Sequence, residues 1–516
     1  MPNPAPDGRR NGLFAGLVCA LAVLLIVGGM VNLAGFPPPW WDEGWTLSVA
    51  RNWVEHGRYG RLLDGKPAPP GLEAAFPVTS LVGLSFHLLG VGVWQGRLVG
   101  VFSMVGAFGV MTYLAVRLWN QATAVAVWFV LLGMSAHPSL HPLYMGRQAL
   151  AEMPMLFYLL SGYAFFLLGL EKSRWFLAPA VFFWGISLVS KAQVIPFWAV
   201  SLGLPILVFL GWGQVKKAGL LVLLLAGSFL ISRLLPWAAD ALLFPGKMAA
   251  SPIPGMYGVT AFVLEGFNRL LALQATVQYG LPALIGFAFA AGTLRAKIKR
   301  REMNPRDLLF LMLLGLGGSW LSWYTLFSVG WPRYLFPPLF IGALFVAGLF
   351  HELTDSFRWR AVMAGLGRSL RERRVDRKAG GALLAAGLVL ITLFPTVKLL
   401  GLLYAAPRGS AAEQAAEFLH SRTGADALIE TYESELHFLL NRRVHYPPDP
   451  VHVELNRRAF LGQEVPISYD PLASDPDFLV VGSHGRLWRL YEPVVASGAF
   501  RLWHSIGPYQ IYGRVR

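Results

Sequence analysis

Long runs of apolar residues, separated by short polar segments, occupy the first four-fifths of the chain. Most runs are about 17–25 residues long, which is the length that an α-helix needs to cross a bilayer core of roughly 30 Å. The clear runs lie at 12–35, 98–116, 121–136, 154–170, 175–190, 194–212, 218–239, 271–293, 307–328, 334–350 and 381–404. The pattern predicts a polytopic α-helical membrane protein with eleven transmembrane helices.

A further apolar run, 76–94, determines on which side of the membrane each loop lies. If this run lies along the outer surface, the strongly basic segments 295–306 and 351–380 both face the cytoplasm. If it spans the membrane, both basic segments face outward, against the usual excess of Lys and Arg in cytoplasmic loops. We therefore expect the N-terminus inside, the C-terminus outside, and outer loops at 36–97 and 137–153.

The last part of the chain, 405–516, has a different pattern from the transmembrane domain, 1–404. It is richer in polar residues, and it contains a helical stretch, AAEQAAEFLHSR, and short strand-like runs, DALIET, DFLVVG, FRLWHSI and YQIYGRV. These features predict a small soluble α/β domain on the outer side. The segment ESELHFLLNRRVHYPP in this domain is explained equally well by contact with an acceptor and by a solvated surface with a tyrosine-containing strand.

Charge and composition narrow the possible partners. The formal net charge is +15, but 55% of the residues are hydrophobic, and in a membrane protein such an excess reflects basic loops and contacts with anionic lipids. Nucleic acid is therefore not an expected partner. His137 and His141 have the spacing of a helical metal pair, but Pro138 and Pro142 interrupt any helix there, so no metal site is expected.

Two adjacent carboxylates, Asp42 and Glu43, follow the first span in the segment FPPPWWDEGW. Acidic residues and tryptophans are common at a membrane interface, so this pair alone does not indicate a site. However, a cation at the edge of the hydrocarbon costs roughly 2–3 kcal/mol unless it is paired or solvated. The same predicted outer face carries several isolated charges: Lys66, Arg97, Arg147, Glu152, Lys191 and Arg333.

These residue types suit the transfer of a group away from a phosphate. A carboxylate can accept the proton of an incoming nucleophile, and cations can stabilise the negative charge on a departing phosphate. A lipid-linked donor would place its phosphate at the interface, where these cations are predicted to lie.

Several segments resemble one protein family: WWDEG, GKPAPP, Arg97 at the start of the second span, GRQALAEMP and WPRYLFPPLF. The chain resembles the type C membrane glycosyltransferases that use polyprenyl-phosphate sugars, especially the branch with protein O-mannosyltransferases and lipid A aminoarabinose transferases. The resemblance covers nearly the whole chain. It implies an inverting transfer of one sugar at the outer face of a bacterial plasma membrane, without metal or cofactor.

The resemblance also implies roles for individual residues. Asp42 matches the catalytic general base, and Glu43 is its catalytic neighbour. Glu152 takes a position where Asp is frequent in the family, and Glu152 and Tyr334 are expected to contact substrate. The residues expected to bind the donor phosphate are Lys66, Arg97, Arg147, Lys191 and Arg333.

Other functions remain open at this point. A lipid-linked glycan ligase or polymerase uses a diphosphate-linked oligosaccharide, and a transporter or flippase also has many spans. A transporter is expected to carry charges near the bilayer midplane and often inverted repeats, whereas most charges here lie at span ends. The expected partners are the polyprenyl-phosphate sugar, membrane lipids and an acceptor that is a lipid, a glycan or a protein.

Overall fold

Helices make up most of the chain in the computed structural model, which describes residues 8–69, 76–135, 137–244, 255–372, 377–405, 409–440 and 442–515. The first helices are α1 (Gly8–Met30), α2 (Trp41–His56), α3 (Phe76–Leu89), α4 (Val93–Leu118), α5 (Gln121–Gly133), α6 (Pro142–Gly146), α7 (Glu152–Glu171) and α8 (Leu177–Ser190). They are followed by α9 (Ile195–Gly211), α10 (Val215–Leu242), α11 (Met256–Thr260), α12 (Gly266–Lys299), α13 (Pro305–Phe327), α14 (Pro332–Leu353), α15 (Trp359–Glu372) and α16 (Arg377–Ala405). A hairpin of β1 (Leu62–Leu63) and β2 (Lys66–Pro67) follows α2.

Within the described ranges, nine helices are long and apolar enough to cross a membrane. All nine coincide with predicted spans, so the chain is a multi-pass membrane protein. Two other predicted spans, 121–136 and 175–190, contain α5 and α8, which have 13 and 14 residues. At about 1.5 Å per residue these helices are shorter than a bilayer core, as is the 14-residue helix α3 within 76–94. The number of spans, eleven, and their orientation stay predictions.

Small residues allow the long helices to pack closely. A Cβ atom on Gly286 of α12 would lie only 3.0 Å from the backbone nitrogen of Val346 in α14, and one on Gly342 would lie 2.8 Å from the Cβ of Ala283. Close approach of this kind is how membrane helices gain packing contacts when lipid is as apolar as the side chains. As a result α14, whose first turn carries Arg333, is held rigidly inside the bundle.

The C-terminal part forms a separate α/β layer. Its helices are α17 (Ala411–Arg422), α18 (Ser434–Leu439), α19 (Asp449–Leu461), α20 (Ser483–Leu487) and α21 (Glu492–Ala496), and its strands are β3 (Leu428–Thr431), β4 (Arg443–His445), β5 (Phe478–Val481), β6 (Phe500–Ile506) and β7 (Tyr509–Arg514). The sheet order is β4-β3-β5-β7-β6, with β3 parallel to β4 and β5 and the other pairs antiparallel. The predicted helix and the four strand-like runs are confirmed.

Of the two alternatives for ESELHFLLNRRVHYPP, the solvated surface was wrong, and contact with an acceptor stays a prediction. Helix α18, which it contains, packs against α2, and Ser434, Glu435, Leu436 and Phe438 are buried. Contact is so close that a Cβ atom on Gly44 would lie 2.2 Å from the backbone nitrogen of Glu435. Arg51 of α2 donates hydrogen bonds to the carbonyl oxygens of Phe438 and His437. The C-terminal layer is therefore docked on α2, next to Asp42.

Candidate active site

The starts of three helices meet at Asp42. Asp42 lies in the first turn of α2, Glu152 begins α7, and Arg333 lies in the first turn of α14. Lys191 follows the last residue of α8 in an extended conformation. Because the start of a helix carries partial positive charge, this arrangement together with two cations forms an environment that favours anions.

Ion pairs join these four side chains into one cluster. Arg333 Nη1 pairs with Asp42 Oδ2, and Arg333 Nε lies 3.3 Å from Glu152 Oε1 without the alignment of a hydrogen bond. Lys191 Nζ donates to the same Glu152 oxygen at 2.6 Å. Glu152 is buried, whereas 28% of the Asp42 side chain is exposed. Asp42 is thus the carboxylate in this cluster that solvent can reach.

Aromatic rings border the cluster. The guanidinium of Arg333 lies 5.1 Å from the centre of the Trp40 ring, and the ammonium of Lys191 lies 5.7 Å from the centre of the Tyr334 ring. Trp40 is itself fixed by a hydrogen bond of 2.6 Å from its Nε1 to Gln148 Oε1. Cation–π contacts at this distance hold both cations in place while leaving their N–H groups directed at carboxylates.

Glu43 has quite different surroundings. Its side chain and that of Arg97 are fully buried and form a two-point ion pair, with distances of 2.7 Å from Nε to Oε1 and 2.6 Å from Nη2 to Oε2. The backbone N–H of Ala149 also donates to Glu43, and Arg97 Nη1 donates to the carbonyl oxygen of Leu33 at 2.7 Å. This closed network ties α2 to α4, to the chain after α1 and to the segment before α7.

Arg147 is a buried cation with unused donors. Its Nη2 donates to the carbonyl oxygen of Val31, but within the described chain Nε and Nη1 find no hydrogen-bond partner. The ring of Tyr404 lies 5.8 Å away. Burial lowers the pKa of Arg147 from its usual value. A guanidinium in this state can still accept an anionic partner on two of its nitrogen atoms.

Lys66 lies on the β1–β2 hairpin, away from these ion pairs. Asp64 at the turn forms an ion pair with Arg443, and the backbone N–H of Asp64 donates to the carbonyl oxygen of Val444 at 2.8 Å. The hairpin is therefore attached to the edge strand β4. Lys66 itself is exposed. No contact in the described ranges joins it to Asp42 or to Glu152.

An aromatic cluster from the C-terminal layer surrounds Trp41, the residue before Asp42. Trp41 Nε1 donates to the carbonyl oxygen of Tyr432 at 2.8 Å, and its ring stacks on His452 with 5.1 Å between centres. Tyr432 and Trp488 complete the cluster. Burial lowers the pKa of His452 to about 4, so its ring stacks as the neutral form at neutral pH. From the sequence, Trp41 had only the common explanation of a tryptophan at a membrane interface, which did not predict this contact.

The structure brings together five of the nine residues that the sequence suggested. These are Asp42, Glu152, Lys191, Arg333 and Tyr334, whereas Glu43 and Arg97 pair with each other, and Arg147 and Lys66 lie at other places. One feature of the sequence could have indicated that another segment packs on α2. Gly44 lies in the first turn of this helix, where glycine is unfavourable, and a glycine there is explained by the close approach of another backbone. In the described chain no group of three or more His, Cys, Asp or Glu side chains is placed to hold a metal ion.

Comparisons with known proteins give structural neighbours but no sequence relatives. No family model matches the chain, and no curated protein matches it. The structure is similar to that of ArnT from Cupriavidus metallidurans bound to undecaprenyl phosphate, with a TM-score of 0.63 and 15% identity, covering 97% of this chain and 98% of that one.

Two further neighbours are structures of the oligosaccharyltransferase of Archaeoglobus fulgidus. One is tethered to an acceptor peptide (TM-score 0.59, 12% identity, 97% of this chain and 74% of that one). The other, AglB, is in complex with an inhibitory peptide and a dolichol-phosphate (TM-score 0.54, 12% identity, 98% and 75%). The resemblance suggested by the short motifs is confirmed at the level of the fold: this chain has the fold of the type C membrane glycosyltransferases.

Proposed function

We propose that this protein transfers a single sugar from a polyprenyl-phosphate donor to an acceptor at the outer face of the plasma membrane. The observation that carries the proposal is the cluster of Asp42, Glu152, Lys191 and Arg333 at the meeting point of three helix starts. It combines one accessible carboxylate with two cations, as the transfer of a group away from a phosphate requires. The neighbours with bound undecaprenyl phosphate and dolichol-phosphate support a lipid-phosphate donor.

In the proposed reaction Asp42 is the general base. It accepts the proton of an acceptor O–H or N–H group while that atom forms a bond to the anomeric carbon of the sugar. The bond between this carbon and the phosphate oxygen breaks on the opposite side, and the electron pair leaves with the polyprenyl phosphate. One such displacement inverts the configuration at the anomeric carbon and needs no covalent sugar–enzyme intermediate.

Lys191 and Arg333 hold the departing phosphate in this scheme. Both cations already share Glu152, so a buried carboxylate fixes their positions before the donor binds. A phosphate that enters beside Arg333 competes with Asp42 for the guanidinium, which loosens the ion pair and makes the Asp42 carboxylate available as a base. Donor binding thereby prepares the base. Tyr334 borders the same space and contacts the substrate in this proposal.

We assign different roles to the other predicted residues. Glu43 and Arg97 form the buried pair that positions α2, and neither has a free group for the substrate. Arg147 has two unused donors in the described chain and is a second candidate for the donor phosphate. Lys66 remains a candidate for contact with a substrate at the hairpin, rather than at the Asp42 cluster.

Charges at the opposite ends of the helices support the proposed orientation. Arg117 at the end of α4 and Arg306 at the start of α13 both pair with Glu171, the last residue of α7, whereas Glu152 begins that helix. The basic helix α15 follows the far end of α14, which is about 33 Å long. By the positive-inside rule this end is cytoplasmic and the Asp42 cluster is outside.

The test is a transfer assay in membranes with radiolabelled polyprenyl-phosphate sugars, comparing the intact protein with Asp42→Asn. We expect the substitution to lower the transfer rate on the order of 10³-fold, because it removes the general base and keeps the shape. Glu55→Gln, which changes a carboxylate farther along α2, is the control and should keep most of the activity.

Equal transfer by the intact protein and by Asp42→Asn would show that the base lies elsewhere. If label moves only from a diphosphate-linked oligosaccharide and as a whole chain, the function is that of a lipid-linked glycan ligase. If the intact protein moves label from no carrier, the proposal fails and transport is tested next.

A further inference from the structure

Apart from the Asp42 cluster, a polar cavity lies between α2, the β1–β2 hairpin and the C-terminal layer. Its volume is about 560 Å³, within the usual range of pockets for small ligands. It is lined on one side by the second half of α2 and on the other by β4 and α18. From Asp42 to Arg51, a lining residue, the path along α2 is roughly 13 Å, so this cavity is separate from the Asp42 cluster.

Arginine dominates the lining. Five arginines border the cavity: Arg51, Arg58, Arg61, Arg442 and Arg443. No Asp or Glu is among the described residues that line it. Glu55, Asp64 and Asp449 form ion pairs with three of these arginines, but their side chains are not part of the lining. The part of the lining that the structure describes therefore presents guanidinium groups and contains no carboxylate.

Two of these arginines are held in place by the docked C-terminal layer. Arg51 donates to carbonyl oxygens at the end of α18, at 2.5 Å for Phe438 and 3.1 Å for His437. Arg61 pairs with Asp449 and lies 3.9 Å from the centre of the Trp45 ring. Fixed guanidinium groups lose little conformational entropy when they bind an anion, which favours tight binding.

Two histidines at the cavity, His437 in the lining and His420 nearby, have lowered pKa values, mainly because they are buried. Burial lowers the pKa of His437 to about 3, and Arg61 and Arg51 contribute to this decrease. Burial also lowers the pKa of nearby His420, with added effects of Arg442 and Arg51. Neither ring therefore carries the charge that an anion would meet. That charge comes from the arginines, which stay protonated at every physiological pH.

We propose that this cavity binds an anionic saccharide through its phosphate or carboxylate groups. Guanidinium groups recognise both oxyanions with paired N–H···O hydrogen bonds, and a cavity with several of them selects a ligand with more than one negative charge. Ser48, Asn52 and the Tyr446 ring in the lining offer partners for a sugar. The anion site rests on the cavity alone, and the saccharide part rests on the proposed function.

The test is equilibrium dialysis of the purified full chain in lipid nanodiscs with two probes, inorganic pyrophosphate and digalacturonate. The intact protein is compared with Arg58→Gln/Arg442→Gln, which removes two lining charges and leaves Arg51 and Arg61 at the docking interface. We expect the affinity for both probes to fall about tenfold or more, and to fall further with added salt. Arg58→Lys/Arg442→Lys should recover part of the loss.

Two matched variants locate the binding. Lys191→Gln removes pyrophosphate that binds at the Asp42 cluster, and it should leave the binding of digalacturonate unchanged. Arg489→Gln changes an exposed arginine of the C-terminal layer outside the cavity and should change the binding of neither probe. The proposal is overturned if neither probe binds the intact protein at about 1 mM, if the double variant binds as the intact protein does, or if Lys191→Gln abolishes the binding of digalacturonate.

The single variant Arg58→Gln decides the question if the double variant does not fold. Arg58 is exposed, and it makes no ion pair with another residue in the described ranges. Binding of pyrophosphate without digalacturonate would keep the anion site and overturn its assignment to a saccharide. Because the dialysis does not use the transfer reaction, it gives the same answer whether or not Asp42 is the general base.

Discussion

Asp42 and Glu43 are adjacent carboxylates in the first turn of α2, and their surroundings are opposite. Asp42 is 28% exposed and shares Arg333 with Glu152, whereas Glu43 is fully buried and bonded on both oxygens to Arg97. Neighbours in a helix point about 100° apart, so one faces the cluster and the other faces α4. One turn of helix therefore places two carboxylates in different surroundings: Glu43 fixes the position of α2, and Asp42 stays accessible, as its proposed role as a base requires.

The largest effect is expected when the buried charge of Glu43 is removed. Glu43→Gln leaves the Arg97 guanidinium buried without its counter-ion, and we expect it to destabilise the fold by about 3–5 kcal/mol. Thermal unfolding in nanodiscs measures the loss. Glu43→Gln/Arg97→Met, which removes both charges, should recover part of it. If Glu43→Gln unfolds like the intact protein and is as inactive as Asp42→Asn, then Glu43 takes part in the reaction.

The next largest effect is expected at Lys191. Lys191→Gln keeps the Asp42–Arg333 pair but removes one cation from the proposed phosphate site, so kcat/KM should fall about 100-fold with little change in unfolding temperature. Kinetics with a polyprenyl-phosphate sugar check this prediction. Lys172→Gln at the opposite end of α7 is the control. A loss of stability without a loss of kcat/KM would mean that Lys191, like Arg97, has a structural role and does not bind the donor phosphate.

Glu435 is another buried carboxylate, and it packs beside Gly44. In the described part of the chain it forms no ion pair with a lysine or an arginine, whereas Glu43 pairs with Arg97. Its Oε1 accepts a hydrogen bond from Tyr509, but Oε2 has no partner in the described chain. Burial, followed by the nearby charge of Glu433, raises its pKa from 4.5 to about 7. The folded state therefore binds a proton more tightly than the unfolded state, and stability falls as the pH rises from about 4.5 to 7.

Glu435→Gln removes this pH dependence. We expect the variant to be more stable than the intact protein by about 3 kcal/mol at pH 8 and equal to it near pH 4. Unfolding temperatures across this pH range provide the measurement. Glu454→Gln, at a carboxylate on the surface of α19, should leave the profile unchanged. A Glu435→Gln variant that is less stable at pH 8 would mean that the charged form is the favoured one.

The smallest effect is expected at Lys66. Because this side chain is exposed on the hairpin, Lys66→Gln should change kcat/KM for a polyprenyl-phosphate donor by less than about threefold. The same kinetic assay used for Lys191→Gln provides the comparison. A loss as large as that of Lys191→Gln would show that the hairpin moves to the donor phosphate during the reaction.

The sequence predicted the membrane fold because apolar runs long enough to cross a bilayer are rare in other classes of protein. It also predicted Asp42, Glu152, Lys191 and Arg333 as one group, since each is a charge near the end of a predicted span on the same face. It could not separate Glu43 and Arg97 from that group. Whether a charge at a helix end is buried depends on contacts between distant segments, here 54 residues apart, and a single sequence gives no distances.

The aromatic cluster around Trp41 was missed for a related reason. A tryptophan beside a span has the same local pattern whether it faces lipid headgroups or a docked domain. Its partners lie at least 391 residues later in the chain: Tyr432, His452 and Trp488. No pattern of hydrophobic positions along the sequence links them to Trp41. Contacts between α2 and the C-terminal layer, including those with α18, bring the two segments together.

The contact at Gly44 has a consequence for the order in which the protein is made. Helix α2 is among the first parts of the chain to leave the ribosome, and α18, which covers it, is among the last. The backbone of Glu435 occupies the place that any side chain at position 44 would need, and Trp41 gains the rings of Tyr432 and His452 only when that late segment arrives. On the proposed function, we therefore expect a chain without this late segment to hold lipid-linked substrates loosely, and the reaction centre to be complete only when α18 has docked on α2.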